Sequence, residues 1–221
     1  METRPLYDLR LRTPRLQLRL GSREELVALG HVAEAGIHPP EEMPFAVAWS
    51  DRIGEAGFLD EFVAFHERHR ADWSPEAWSL HLLVWEDGKL VGTQNVHAKE
   101  FSKRRAVGTG SWIGRTYQRQ GIGTEMRAAV LELAFRGLGA IEAESSWLDG
   151  NEASRRISMK LGYAESSVGE KSPRGVPVRE FGVAIEHGVW SCPVPVTVEG
   201  LEPCLPLFGV SDAPGKGRAS A

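Results

Sequence analysis

Apolar and polar positions first alternate along the chain and then recur at helical spacing. Residues 9–20 alternate apolar and basic side chains, which predicts one half-exposed strand. Ser22 is followed three residues later by Glu25, and this capping box predicts a helix over 22–35. A second helix is predicted over 55–72, because three phenylalanines recur on one of its faces: Phe58, Phe62 and Phe65.

The middle of the chain is typical of three consecutive strands followed by a long helix. The strands are predicted at 78–86, 89–98 and 106–114, and an Asp-Gly dipeptide between the first two indicates a tight hairpin. Residues 122–136 place apolar side chains on one face, with Ala and Glu filling the rest. This segment is the strongest helix prediction in the chain.

A strand, a helix and two more strands complete the order, at 140–148, 152–161, 163–169 and 176–186. The helix 122–136 lies between two strands, which requires a parallel strand pair where it crosses. The order therefore predicts an α/β (α+β) fold. Its centre is a mixed, mostly antiparallel sheet of about seven strands, flanked by helices.

Residues 1–187 are predicted to form one domain, and 188–221 to form a C-terminal extension and tail. Prolines divide the extension into short apolar pieces, 194–198 and 205–210, which are long for a free tail. Such pieces need a surface to bury against, and a second subunit would provide one. We therefore expect a homodimer or higher homo-oligomer, and a mobile tail at 211–221.

Composition and charge exclude several classes of protein. The 221 residues are 42% hydrophobic and 25% charged, which is ordinary for a globular protein. A net charge of −4 argues against nucleic-acid binding, since phosphate contacts need clustered Lys and Arg. No apolar run predicts a signal peptide or a membrane span. We therefore expect a soluble cytoplasmic protein, with no nucleic-acid and no membrane partner.

The cysteine and histidine patterns predict no metal site. Cys192 and Cys204 are too few for a disulfide scaffold and are expected to be reduced thiols. His66 and His69 lie three positions apart, which is not the H-E-x-x-H spacing of a zinc site. The aromatic residues of 45–85 are interpreted mostly as core, with a substrate floor as the alternative.

The strongest chemical signal is the loop between the strand 106–114 and the helix 122–136. Gly121 and Gly123 stand at the helix start, where backbone N–H groups have no intrahelical partner. Glycines let a ligand approach the backbone, and the helix dipole favours an anion there. Arg119 adds a cation. The loop therefore suits a pyrophosphate, and a plain tight turn is the alternative.

Other phosphate motifs do not fit this loop. A dinucleotide fingerprint needs a third glycine where Met126 stands, and the Gly-Lys-Ser/Thr of a P-loop is absent. The residues 118–123, Gln-Arg-Gln-Gly-Ile-Gly, instead match the Q/R-x-x-G-x-G/A loop of GNAT N-acetyltransferases. The chain resembles the RimJ/RimL-like branch of that superfamily at three further segments, 13–19, 111–125 and 151–163. It is also similar to actinobacterial members discussed as candidate succinyltransferases.

The resemblance implies the GNAT fold, with an acyl-CoA cleft where two parallel central strands splay. It implies acetyl-CoA or succinyl-CoA as co-substrate and no metal. Residues implied to contact the coenzyme fall in three groups, which are the strand end, the loop and the next helix: Trp112, Ile113, Gly114, Gln118, Arg119, Gln120, Gly121, Ile122, Gly123, Thr124, Asn151 and Ser154. Two alternatives stay open, that Asn151 only caps its helix and that Ser154 is merely exposed.

The catalytic residues are less well indicated. Many relatives carry a Tyr general acid where this chain has Ser158, whose hydroxyl is able to donate a hydrogen bond to the departing sulfur. The alternative for Ser158 is a small packing residue. The carboxylate of the fourth strand is missing in this chain. The candidate bases are therefore residues of neighbouring strands and turns: Glu142, Glu144, Glu100 and His97.

These features predict an acyl-CoA-dependent N-acyltransferase that acts by direct attack of a primary amine in a ternary complex. The acceptor is a small molecule, a protein N-terminus or a lysine. Basic residues before the fourth strand are candidates to pair with a succinyl carboxylate: Lys99, Lys103, Arg104 and Arg105. The alternative is a catalytically weak acyl-CoA-binding sensor or interaction module.

Overall fold

A single nine-stranded sheet organises residues 2–210, the part of the chain that the computed structural model describes. The strand order is β7-β8-β6-β5-β4-β3-β2-β1-β9, and within this range only β5 and β6 pair in parallel. The strands are β1 (Arg10–Arg12), β2 (Leu16–Arg19), β3 (Ala77–Glu86), β4 (Lys89–Lys99), β5 (Ala106–Ile113), β6 (Glu142–Leu148), β7 (Ala164–Lys171), β8 (Val178–Glu186) and β9 (Thr197–Glu199). The α-helices are α1 (Arg23–Glu34), α2 (Phe58–Ala71), α3 (Phe101–Arg104), α4 (Ile122–Glu132) and α5 (Glu152–Lys160).

The sheet is mixed and mostly antiparallel, as predicted, but it contains nine strands rather than about seven. One extra strand arises because the predicted strand 9–20 breaks into β1 and β2 around Pro14. Thr13 N donates to Leu16 O, and Thr13 Oγ1 accepts from Leu16 N, both at 2.9 Å. Pro14 has no N–H to give to a continuous ladder, so the chain turns there.

The first two long helices begin close to the predicted positions. The capping box of α1 is confirmed, since Ser22 accepts from Glu25 N while the Glu25 carboxylate accepts from Ser22 N. In α2, Phe58 and Phe62 are buried, as predicted. The prediction was wrong for Phe65, which is 43% exposed.

The hairpin and the long helix predicted for the middle of the chain are also confirmed, with small shifts in where the elements begin and end. Asp87 and Gly88 form the hairpin with φ of 48° and 75°, the left-handed values of a type I′ turn. The helix predicted at 122–136 is α4, extended by a π-helical turn over Leu133–Gly137.

The helices pack on both faces of the sheet because side chains of a strand alternate between faces. Leu80 and Leu82 on β3 belong to the large core that includes Met126 of α4. Leu83 lies on the other face and packs with Leu26 of α1 and Phe62 of α2. The sheet thus separates an α4 face from an α1/α2 face. No helix of the described residues is long and apolar enough to cross a membrane.

Residues 188–210 fold back onto their own chain. Strand β9 pairs with β1, and Phe208 packs against Trp78 with ring centroids 4.9 Å apart. Trp73 Nε1 donates to Leu207 O at 2.8 Å. The apolar pieces thus bury against the same subunit, so they no longer argue for a homo-oligomer, which stays a prediction. The tail predicted at 211–221 lies outside the described residues.

Replacing Phe208 with Ala should lower the free energy of unfolding by about 3–5 kcal/mol, because a fully buried ring leaves a cavity between two tryptophans. Chemical denaturation followed by tryptophan fluorescence measures this change. Val189→Ala is the control, since Val189 is 69% exposed. Equal stability of the two variants would contradict the packing role of the C-terminal segment.

Candidate active site

The parallel strands β5 and β6 separate after a very short ladder. They pair only from Ala106↔Glu142 to Gly108↔Glu144. Beyond this point, side chains take over: Thr109 Oγ1 donates to Glu144 O, and Ser145 Oγ donates to Thr109 O, both at 3.3 Å. A gap therefore opens between the C-terminal halves of the two strands, where ligands bind in many open α/β sheets.

The loop between β5 and α4 is fixed by side-chain amides. Gln118 Nε2 donates to Ile37 O at 2.7 Å and to Ile113 O at 2.8 Å. Arg119 and Gly121 both have left-handed backbone conformations, with φ of 62° and 83°. Within the described chain, the backbone amides of 119–123 donate no hydrogen bond. They lie at the positive end of the α4 dipole, and such an arrangement suits an anion.

A buried carboxylate ties this loop to the N-terminal hairpin. Glu125 in the first turn of α4 accepts from Thr13 Oγ1 at 2.5 Å and pairs with Arg15 Nη2 at 2.7 Å. Arg15 Nη1 also donates to Gln120 O at 3.1 Å. Spacing alone did not indicate this contact, since 110 residues separate Arg15 from Glu125.

The two glycines of the loop have different physical roles. Gly121 needs its left-handed φ, and a Cβ there would make only an ordinary contact, with Arg15 Nη2 at 3.5 Å. A Cβ on Gly123 would instead meet Ile157 Cδ1 at 2.7 Å. The absent side chain of Gly123 therefore allows α4 to pack on α5, and coenzyme contact through its amide stays a prediction. Of the remaining loop residues of that prediction, Gln120 Nε2 donates to Thr116 O, Ile122 is buried in the core, and Thr124 N donates to Gly121 O. Their contacts with the coenzyme stay a prediction.

Asn151 acts as the cap of α5, the alternative that the sequence left open. Its Oδ1 accepts from Ser154 N at 3.1 Å, and its Nδ2 donates to Pro44 O at 3.2 Å. Ser154 is half-buried beside it. Contacts of both residues with the coenzyme stay a prediction.

Ser158 is completely buried and lies against the guanidinium of Arg127. Arg127 Nη1 donates to Ser158 Oγ at 3.2 Å and to Ser145 Oγ at 3.3 Å, and Nη2 donates to Ser111 Oγ at 3.4 Å. Arg127 thus joins β5, β6 and α5 at the place where the strands separate. The sequence missed it, because an arginine next to Met126 on a helix indicates an exposed position.

The guanidinium of Arg127 has no carboxylate partner among the described residues. Its Nε atom is buried without a hydrogen bond there. Burial lowers the pKa of Arg127, while Tyr163 acts in the opposite direction. A buried cation surrounded only by hydroxyl groups is costly, and it is suited to stabilise negative charge that develops nearby.

The carboxylates proposed as bases are on the opposite face from Arg127. Glu142 and Glu144 share that face, as strand alternation predicted, and pair with Ala106 and Gly108. Glu144 is exposed, and its Oε1 accepts from Arg104 Nη2 at 3.3 Å. Glu100 is engaged with Lys103 at 2.7 Å.

Three of the four basic residues considered for an acyl carboxylate have other partners, and the role of Lys99 stays a prediction. Lys103 and Arg104 pair with the acids just described, and Arg105 Nη1 donates to Leu138 O at 3.1 Å. The described residues contain no group of three or more metal-ligating side chains arranged for an ion. Both cysteines are free thiols, as expected.

Comparison with protein families finds one matching model. The model described as an acetyltransferase (GNAT) domain matches residues 15–164. This range includes β2 to β6, the loop at 118–123 and α5.

Solved structures share the fold at low sequence identity. RimJ of Mycobacterium smegmatis in complex with CoA-disulfide is 19% identical with a TM-score of 0.63, and the match covers 82% of this chain and 88% of that one. A putative ribosomal-protein-serine acetyltransferase from Vibrio cholerae is 20% identical with a TM-score of 0.63, covering 80% and 97%. RimL, a ribosomal L7/L12 alpha-N-protein acetyltransferase in complex with coenzyme A, is 14% identical with a TM-score of 0.60, covering 77% and 94%.

Gly121→Val should weaken coenzyme A binding roughly tenfold or more, because a β-branched residue at φ 83° costs at least about 1–2 kcal/mol and displaces the amides. Isothermal titration calorimetry with coenzyme A measures this affinity. Gly121→Asn is the matched control, since Asn adopts left-handed backbone and should keep most of the affinity. Equal affinity of the valine variant and the unmodified protein would contradict the loop assignment.

Arg127→Met should leave the free energy of unfolding unchanged or raise it by about 1–4 kcal/mol, because it replaces an unpaired buried charge with an apolar side chain of similar length. Urea denaturation measures the change. Arg156→Met, at an exposed position of α5, is the control. A clear loss of stability specific to Arg127→Met would show that this residue is needed to hold the fold together.

Proposed function

Because the chain belongs to the GNAT acetyltransferase family, we propose that it transfers an acetyl group from acetyl-CoA to a primary amine. The observation that carries this proposal is the arrangement around the strand gap. Unpaired amides at 119–123 lie at the outer end of the gap, and Ser158 with Arg127 lies within it. A coenzyme thioester needs these two features at its pyrophosphate and at its sulfur.

The pantetheine arm has an available strand edge in this proposal. Beyond Gly108, β5 pairs with β4 on one side, and no strand of residues 2–210 pairs with its other side. The backbone of Trp112, Ile113 and Gly114 lies along this free edge and leads to the loop. An extended amide-containing arm would pair there as an added strand does.

The proposed reaction is direct attack of a neutral amine on the thioester carbon. The C–N bond forms, an oxyanion develops, and the C–S bond breaks to release a thiolate whose ordinary pKa is about 8.5. Ser158 Oγ donates a hydrogen bond to the departing sulfur. Arg127 donates to the same Oγ, so its positive charge stabilises the thiolate through Ser158.

The acceptor enters from the α1/α2 face in this proposal. Aromatic rings gather on this face beside the end of β5: Trp49 lies 5.8 Å from Trp112 and 5.9 Å from Phe62, between ring centroids. In the proposal these rings form an apolar wall: they pack as core on one side and border the acceptor on the other. Two similar structures are named for acetylation of ribosomal proteins, so a peptide N-terminus belongs in the acceptor panel beside small amines and lysine.

Succinyl-CoA is the second donor that we propose to test. A succinyl group brings a carboxylate that needs a cation, and Arg127 is a buried cation without an acidic partner in the described chain. The alternative function, acyl-CoA binding without transfer, predicts binding of both donors and release of no thiol.

A cytoplasmic location is part of the proposal, because free Cys192 and Cys204 suit a reducing compartment.

The test is release of free thiol from acetyl-CoA and succinyl-CoA in the presence of the amine panel. We expect amine-dependent release, and Ser158→Ala should lower kcat about 10–100-fold with little change in coenzyme affinity, since a hydrogen bond to a charged group contributes about 1.5–3 kcal/mol. Ser172→Ala, at an exposed position, is the control. Tight coenzyme binding with no thiol release for any amine would favour the binding module.

A further inference from the structure

Four polar side chains form a connected row on the α1/α2 face of the sheet. His97 Nδ1 lies 2.7 Å from Asn95 Oδ1, Asn95 Nδ2 donates to Ser79 Oγ at 2.8 Å, and Ser79 Oγ lies 3.0 Å from His81 Nε2. The row crosses from β3 to β4 and ends at His97, whose strand is the neighbour of β5. A connected polar row fixes the orientation of its members, which makes His97 at its end a candidate for a functional role.

The row ends where β5 and β6 begin to separate. His97 pairs with Gly108 across the β4–β5 ladder, and Gly108 pairs with Glu144 in the last rung before the gap. A Cβ built on Gly108 would collide with His97 Nε2, so the imidazole lies directly over this glycine. A Cβ on Gly110, the next residue on the same face, would meet nothing within 4 Å. The ring therefore borders an open trough at the head of the gap.

From this geometry we propose that His97 is the general base that accepts the proton of the acceptor amine. The inference rests on the acyl transfer proposed above and identifies the residue for which the sequence offered several candidates. The other candidates are less suited, because Glu144 is paired with Arg104 and Glu100 with Lys103. Glu142 lies in the paired part of the ladder, two residues before the last rung.

The hydrogen bonds of the row leave the correct nitrogen free. Asn95 donates through Nδ2 to Ser79, so the atom facing His97 is the oxygen Oδ1, which only accepts. His97 Nδ1 must therefore carry the hydrogen and donate it to Asn95 Oδ1. Nε2 then keeps its lone pair and lies over Gly108, beside the free space above Gly110. The proton of the amine moves to Nε2 as the C–N bond forms and the C–S electrons leave with sulfur. The ring is covered on the side of its neighbours and reaches solvent on the other, so it then releases this proton to solvent.

The surroundings of His97 favour its neutral form. Burial among its neighbours lowers the pKa of His97, Glu144 of β6 opposes this change, and His69 of α2 and Lys99 of β4 add to it. His81 of β3, at the other end of the row, also has a lowered pKa because of burial. On β5, the residues facing the ring are glycines and carry no charge. A neutral imidazole is the form that a base requires.

The test compares kcat/KM of the full-length protein with His97→Gln and Asn95→Asp, using the best donor and amine of the panel. The pH series runs from about pH 5.5 to about pH 9.5, which brackets the ordinary histidine pKa of about 6.5. His97→Gln should lower kcat about 10²–10⁴-fold without changing coenzyme affinity. His31→Gln, on the exposed side of α1, is the matched control.

Asn95→Asp gives a signed result that a structural role would not produce. An aspartate next to Nδ1–H stabilises the imidazolium, so it raises the pKa of His97. The acidic limb of the kcat/KM profile should move to higher pH, with activity lost near neutrality and recovered above it. The pKa of the amine itself does not depend on residue 95, so only titration of His97 explains such a shift.

The outcomes separate the two proposals. If the unmodified protein releases no thiol with any donor and amine, the acyl transfer fails, and the base assignment fails with it. If the protein is active but His97→Gln keeps its kcat and its pH profile, only the assignment of His97 is overturned. If His97→Gln does not fold, as judged by circular dichroism, Asn95→Asp decides alone, and an unmoved acidic limb overturns the assignment.

Discussion

The separation of β5 from β6 is the constraint on which the rest of the structure depends. Parallel strands normally continue their ladder, but these two stop after three residue pairs. Where the ladder stops, the side chains of Thr109 and Ser145 bond across the two strands instead. The guanidinium of Arg127 contacts both strands and α5 at the same place. Because the guanidinium is buried without a carboxylate among the described residues, the fold carries a destabilising charge at the place where chemistry is proposed.

In the proposed reaction, the two faces of the sheet have different roles beside the gap. Successive residues of β5 point to opposite sides, so Ser111 contacts Arg127 on the α4 face, while Gly108 and Gly110 leave room on the α1/α2 face. In the proposal, the departing sulfur is therefore stabilised from the α4 face, and the attacking amine approaches from the α1/α2 face. One short strand is enough to divide the two roles between the faces, because successive side chains of a strand point to opposite faces.

Distant parts of the chain hold this gap in place. The buried Glu125 fastens the start of α4 to Thr13 and Arg15 of the N-terminal hairpin. The C-terminal segment closes the same side of the molecule, with β9 on β1 and Trp190 Nε1 donating to Glu132 Oε2 at 3.1 Å. The N-terminal hairpin and residues 188–210 therefore both support the helix that follows the proposed coenzyme loop, and the latter contribute to the same core.

The sequence by itself determined the local features: the capping box at Ser22, the Asp87-Gly88 hairpin, the α4 helix and the glycine loop before it. These depend on interactions between residues close in the chain, and spacing reveals such interactions. It did not determine that Gly123 serves helix packing, that Arg127 is buried, or that His97 lies over Gly108. Those facts depend on which strands become neighbours, and only the tertiary structure decides that, because a side chain's charge or size does not specify its distant partner.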